Sequence, residues 1–136
     1  MSIQLNKNDQ KTVITLGKKF INHYYTSLNS RNFDNIAKLL KPFSIFSFEK
    51  QRKKGHEIIQ FLKNIALTRD TKYHVEETGF DVTHSGARKI NILVTGKFSY
   101  IENEQRITKN FAEYIHFGQA NNKQFWIQVA MFKIIP

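Results

Sequence analysis

The side chains of this 136-residue chain that could move a proton or hold a metal near neutral pH are five histidines, at positions 23, 56, 74, 84 and 116, and eleven carboxylates. A histidine–carboxylate pair does acid–base work when both groups share one face and an apolar environment lifts the carboxylate pKa toward neutrality. Read as a strand, KYHVEET puts His74 and Glu76 on one face and Tyr73, Val75 and Glu77 on the other. Asp81 and His84 lie near a turn, and His116 shares a face with Tyr114 and Ala112. Of these, only His116 has apolar residues on both sides, so no catalytic pair is expected. The histidines show no i, i+4 ligand spacing, and there is no cysteine. No Gly-rich phosphate loop is present. The expectation is a non-enzyme with no cofactor and no metal.

Charge is the other chemical resource. Lysine and arginine number 21 against 11 acidic residues, a formal net charge of +10. EKQRKKGH concentrates Lys50, Arg52, Lys53 and Lys54 in what reads as a basic turn, able to give salt-dependent phosphate affinity. The remaining lysines are scattered, and the aromatics are accounted for by a core with no evident stacking platform. Direct nucleic-acid binding is therefore not expected.

The elements that would position these groups follow from periodicity. Apolar residues at 13, 16, 20, 21, 24 and 28 give the spacing of an amphipathic helix, with Asp9 as its N-cap and with His23 and Tyr25 off the main stripe. NFDNIAKLLKP reads as a second helix stopped by Pro42, FSIFSFE as a short strand, QRKKG as a turn and HEIIQFLKNIAL as a third helix. After Arg69 four segments alternate with period two, separated by HSGA, ENE and QANN. Helices followed by a meander of long strands argue for an α+β fold, here one domain spanning 1–136. The last strand, KQFWIQVAMFKII, is apolar on both faces: Phe125, Ile127, Val129 and Met131 on one, Trp126, Ala130, Phe132 and Ile134 on the other. A sheet apolar on both sides needs a second cover, so a dimer through the sheet is expected. The longest apolar runs fall far short of the roughly 20 residues that span a bilayer, and the opening MSIQLNKNDQ lacks the apolar segment of a secretory signal.

Several segments, in order, resemble the nuclear transport factor 2 superfamily. GKKFINHYY is similar to its first-helix signature, and FSFEKQRKKG to its strand ending in an aromatic, often followed by Glu, with Gly seven residues after the aromatic (Phe48, Glu49, Gly55). VTGKFSY, ENEQRITKNF and WIQVAMFKI resemble later strands, so the likeness runs from about Gly17 to Ile135. It implies three N-terminal helices packed in a strongly curved antiparallel sheet, a cone with the first helix inside. Phe20, Tyr24, Tyr25 and Phe132 would then be core and cavity lining together.

The resemblance also implies partners. In the carrier branch the aromatic–Glu pair, here Phe48 and Glu49, rims the mouth of the cone and receives the small GTPase Ran in its GDP form. Glu102 and Glu104 stand near the place of two acidic residues in that branch. Phe98, Tyr114, Trp126 and Gln128 would form the dimer face of the sheet. A homodimer contacting Phe-Gly nucleoporin repeats, shuttling between nucleus and cytoplasm through the nuclear pore, is the implied role. An mRNA export cofactor that heterodimerises with a large export receptor, and a small-molecule enzyme of isomerase or dehydratase type, are the alternatives. The chain departs from the carrier pattern in its +10 charge and in having Val129 and Ala130 where Asn-Asp is usual.

Overall fold

The computed structural model describes residues 7–84, 89–120 and 122–136. The elements run α1 (Lys7–Asn29), α2 (Phe33–Leu39), β1 (Ile45–Phe48), β2 (Gln51–Lys54), α3 (His56–Arg69), β3 (Lys72–His84), β4 (Lys89–Glu102), β5 (Gln105–Gln119) and β6 (Phe125–Ile135). The six strands form one sheet in the order β2-β1-β6-β5-β4-β3. This is the expected α+β architecture, helices packed against a curved sheet. Every neighbouring pair is antiparallel except β1 and β6, which run parallel with Phe48 opposite Phe132. The sheet is thus mixed rather than wholly antiparallel.

α1 already includes Asp9, which lies inside the helix rather than ahead of it as a cap. Gly17 lets α1 approach the sheet: a Cβ there would come within 2.8 Å of Val82 on β3. At the end of α1, Asn29 clamps the edge strand, donating to the Tyr73 carbonyl (2.7 Å) and accepting from the Tyr73 N–H (2.8 Å). Arg31 then ties the end of α1 to the start of β3 through the Thr71 carbonyl (2.7 Å) and pairs with Asp70 at 2.9 Å, which also pairs with Arg106 of β5. Asp70 caps α3 in the left-handed region.

Three local features differ from the sequence reading. QRKK is a strand, not a turn: β2 pairs with β1 across a two-residue loop at Glu49 and Lys50. Four charged or polar residues carry no apolar alternation, so only the pairing reveals it. Tyr25 is buried, because α1 is covered by sheet over a wider arc than one stripe. In β6, His116 pairs with Val129 while Phe117 pairs with Ile127, so Gln128 is a bulge. The bulge reverses the alternation. Ile127, Ala130, Phe132 and Ile134 turn inward or toward the core, while Val129 and Met131 face outward. The two faces read from strict alternation were therefore mixed. The HSGA and QANN turns fall partly outside the described residues.

Candidate functional site

The interior holds a group that the sequence reading passed over. Along β5, Phe111, Glu113, Ile115 and Phe117 alternate inward, and all four are buried. Glu113, 1% exposed, thus projects into the aromatic core beneath α1. Its two oxygens accept hydrogen bonds from Tyr25 (2.7 Å) and Tyr24 (3.1 Å), consecutive residues of α1. Burial lifts the Glu113 pKa from 4.5 to about 7, against the opposing effect of the two hydroxyls. Burial, then the Glu113 charge, raises Tyr24 and Tyr25 well above the usual phenol range, so both stay protonated donors. Phe20 stacks on Phe117 at 4.0 Å, and Phe132 stacks on Phe111 at 4.9 Å, closing the space around this cluster. A void of about 10 Å³ beside Tyr24, lined by Ile36, Phe46, Ile58 and Ile127 among others, is barely the size of one water. Phe20, Tyr24, Tyr25 and Phe132, read as core and cavity lining together, are all buried.

Toward the C-terminal end of β6 lies the aromatic–Glu pair that the resemblance would set at the rim of the cone. Phe48 is half-buried and stacks on Phe132 with ring centroids 4.9 Å apart and planes 3° apart. Phe61 and Phe98 complete its surroundings at 5.2 and 6.0 Å. Glu49 follows with φ 56° at the head of the hairpin loop. Its N–H donates to the Phe132 carbonyl (3.0 Å), and its Oε1 accepts from the Ile134 N–H (2.6 Å). The side chain is exposed, but one oxygen already serves the backbone of β6. Lys50 follows it, and Lys53 lies 5.9 Å over the Phe61 ring, so the rim carries both signs of charge.

Glu102 and Glu104 flank Asn103 at the β4–β5 turn, where Asn103 and Glu104 have φ 51° and 64°. The last β5–β6 pair is Asn110 with Ile135. The hairpin therefore continues five residues past it, from Asn110 to Gln105, a reach of about 17 Å. These two carboxylates form an acidic tip of their own rather than joining Glu49.

The four residues assigned to the dimer face do not share one face. Phe98 is 2% exposed and packs inward on Tyr73 and Phe132. Its alternation partners Val94 and Ile92 are also buried, which fixes that face as core. Trp126 is half-buried over Gly118 and meets Phe43 at 5.9 Å. Gln128 is exposed on the bulge, and Tyr114 is exposed. The outer face instead carries a row in register across three strands: Leu93, Tyr114 and Met131, 44%, 38% and 52% exposed. Beside it, Asn91 Oδ1 accepts from the Tyr114 hydroxyl at 2.8 Å and is also bonded to His116 Nδ1. Partial burial and the Lys89 charge lower the His116 pKa. His74 and Glu76 form an exposed pair at 3.1 Å, whereas Glu113 is buried.

Among the described residues no group of three His, Asp or Glu could hold a metal, and no helix is long and apolar enough to cross a membrane.

Comparison with known proteins agrees with this architecture. The model of the nuclear transport factor 2 (NTF2) domain matches residues 16–134. Among curated proteins, none matches this chain. A solved structure of nuclear transport factor 2 from Cryptosporidium parvum superposes with a TM-score of 0.77 at 20% identity, covering 98% of this chain and 100% of that one. An NTF2-like superfamily protein from Salmonella enterica gives 0.74 at 14% identity, covering 93% and 94%. An uncharacterised protein with a cystatin-like fold from Caulobacter vibrioides gives 0.77 at 11%, covering 92% and 91%. At these identities the structural likeness speaks for the fold alone.

Proposed function

This chain belongs to the nuclear transport factor 2 domain family, and from that premise we propose that it is a non-enzymatic nucleocytoplasmic transport factor. In this reading it binds Ran-GDP at the mouth of the cone and Phe-Gly nucleoporin repeats elsewhere, moving between cytoplasm and nucleus through the pore. The observation that carries the reading is the arrangement at the β1–β2 turn. Phe48 offers an apolar edge held by Phe61, Phe98 and Phe132, and the exposed Glu49 carboxylate beside it keeps one oxygen for a partner. The interior supports it from the other side. A catalytic base must come within about 2.6–3.2 Å of the proton it takes, and Glu113, 1% exposed, already has each oxygen bonded to a tyrosine hydroxyl.

The test is direct binding. Calorimetric titration of the chain with Ran-GDP is expected to show saturable binding, and with Ran-GTP none. Absence of Ran-GDP binding would remove the carrier role and leave the export-cofactor role, in which the outer sheet face meets a larger receptor.

That face supplies a second expectation. The row of Leu93, Tyr114 and Met131 is an exposed apolar stripe continuing toward Val129, of a kind that marks interaction sites. Equilibrium sedimentation should give about twice the 16.0 kDa chain mass. Tyr114→Asp should return it toward 16.0 kDa with unchanged circular dichroism. A wild-type chain that stays monomeric would favour a heteromeric partner on this face.

A further inference from the structure

The strongest unassigned feature lies where α1, α2 and the β5–β6 hairpin meet. A concavity of about 420 Å³ is lined by Lys19 and His23 of α1, Asn35, Lys38 and Leu39 of α2, and Lys123, Gln124 and Phe125 of the hairpin. The three lysines come from three different elements, and no carboxylate is among the lining residues. None of the three has an ion-pair partner among the described residues, where the ion pairs involve Arg31, His74 and Arg106. Asp34, exposed on α2 next to Asn35, is the acidic residue nearest in sequence and is not part of the lining.

The walls are fixed. Gln124 donates from its side chain to the Lys38 carbonyl at 3.3 Å, joining the hairpin to α2. Gln119 donates to the Lys123 carbonyl at 3.2 Å, holding Lys123 at its left-handed φ of 66°. Asn35 is held by Asn32 and Ser27. Leu39 is buried, and Phe125 packs edge-on against Phe20 and Phe117. Three like charges gathered around one concavity repel one another unless an anion joins them. The size falls within the roughly 300–1,000 Å³ of small-ligand sites. This place is distinct from the mouth. Phe125 opens β6, and Phe132, on which Phe48 stacks, lies seven residues along it, a separation of about 20 Å.

We propose that this concavity binds an organic phosphate of about mononucleotide size, its phosphate among Lys19, Lys38 and Lys123 and its less polar part over Leu39 and Phe125. The site stands independently of the Ran reading. The test is a titration of the ¹⁵N-labelled full chain with adenosine 5′-monophosphate, inorganic phosphate and adenosine. Adenosine monophosphate and phosphate should shift the amides of Lys19, His23, Lys38 and Lys123, the nucleotide binding more tightly and adenosine alone producing no change. Raising the salt should weaken both phosphate-bearing ligands. The double variant Lys38→Ser/Lys123→Ser, both positions exposed, should keep the wild-type spectrum elsewhere and weaken nucleotide binding by on the order of tenfold or more. Shifts scattered over lysines outside the concavity, such as Lys50 to Lys54, would overturn the proposal. So would unaltered affinity in the double variant, or silence of the groove amides at millimolar ligand. Binding of single-stranded oligonucleotides whose footprint ignores the groove would replace it with a nucleic-acid surface.

Discussion

The unfolding midpoint in urea is expected to be higher at pH 5 than at pH 8, and the buried carboxylate of Glu113 is the cause. Its pKa rises from 4.5 to about 7 in the folded protein. Between those values the folded chain holds a proton that the unfolded chain has released. Stability therefore falls as pH rises through this window, and the stabilisation from the proton is fully present only below about 4.5. At about 1.36 kcal/mol per pKa unit, the drop from pH 5 to pH 8 is roughly 2–3 kcal/mol. His116, with its lowered pKa, acts in the opposite direction, losing stability as pH falls. The comparison should therefore be made against Glu113→Gln at each pH, so that every other titrating group is common to both proteins. Glutamine accepts from one tyrosine hydroxyl and donates to the other, and carries no charge. The variant should match wild type at pH 5 and exceed it by roughly 2–3 kcal/mol at pH 8. Glu113→Leu should be the less stable protein at both values, because two buried hydroxyls lose their acceptor at about 1–3 kcal/mol each. Wild type and Glu113→Gln running parallel across the whole range would mean that the carboxylate titrates as it does in water, and the buried cluster would have to be redrawn.

That cluster shows what the sequence did and did not reveal. The pattern Phe111, Glu113, Ile115, Phe117 was legible as a carboxylate within an apolar face, the one place where strict alternation held and put an acid inside. A histidine–carboxylate pattern does not reveal it, because Glu113 is paired with tyrosines roughly 88 positions earlier. The fold class followed from local periodicity, which α1, α3 and the long strands express clearly. Apart from the start of α1, which lies ahead of Asp9, the differences are non-local. The β6 bulge at Gln128 is set by its pairing with β5, and no residue type announces it. The strand QRKK exists because β1 lies beside it, and β1 in turn is placed by the parallel pairing with β6. Phe98 was set on the outer face, whereas β4 turns Ile90, Ile92, Val94 and Phe98 inward. Glu49 was legible as the residue that follows Phe48 at the end of a short strand, but its bond to the Ile134 N–H was not, since that contact joins positions 85 apart.

Replacing Glu49 should have the largest effect on partner binding, and the structure sets how the experiment must be arranged. A lysine at this position turns attraction for a basic partner side chain into repulsion, next to Lys50 and near Lys53. At an interface that costs about 2–5 kcal/mol, enough to abolish binding measured at micromolar concentrations. Yet Glu49 also accepts from Ile134 at 2.6 Å, so Glu49→Lys removes a bond of the β1–β6 seam as well. Glu49→Gln separates the two roles. The amide oxygen keeps the bond to Ile134, while the negative charge that a partner lysine would seek is gone. Both variants should retain the circular dichroism of wild type and its sedimentation mass, with the lysine variant slightly less stable to urea. Affinity for Ran-GDP should fall in the order wild type, Gln, Lys. A glutamine variant that binds as wild type while the lysine variant does not would mean that the Glu49 charge is not what a partner seeks, the lysine acting by repulsion or through the lost bond of the β1–β6 seam. Equal binding by all three would take the site away from Glu49 and turn attention to the acidic tip at Glu102 and Glu104, which extends past the same C-terminal end of β6 and is free of backbone duties among the bonds described.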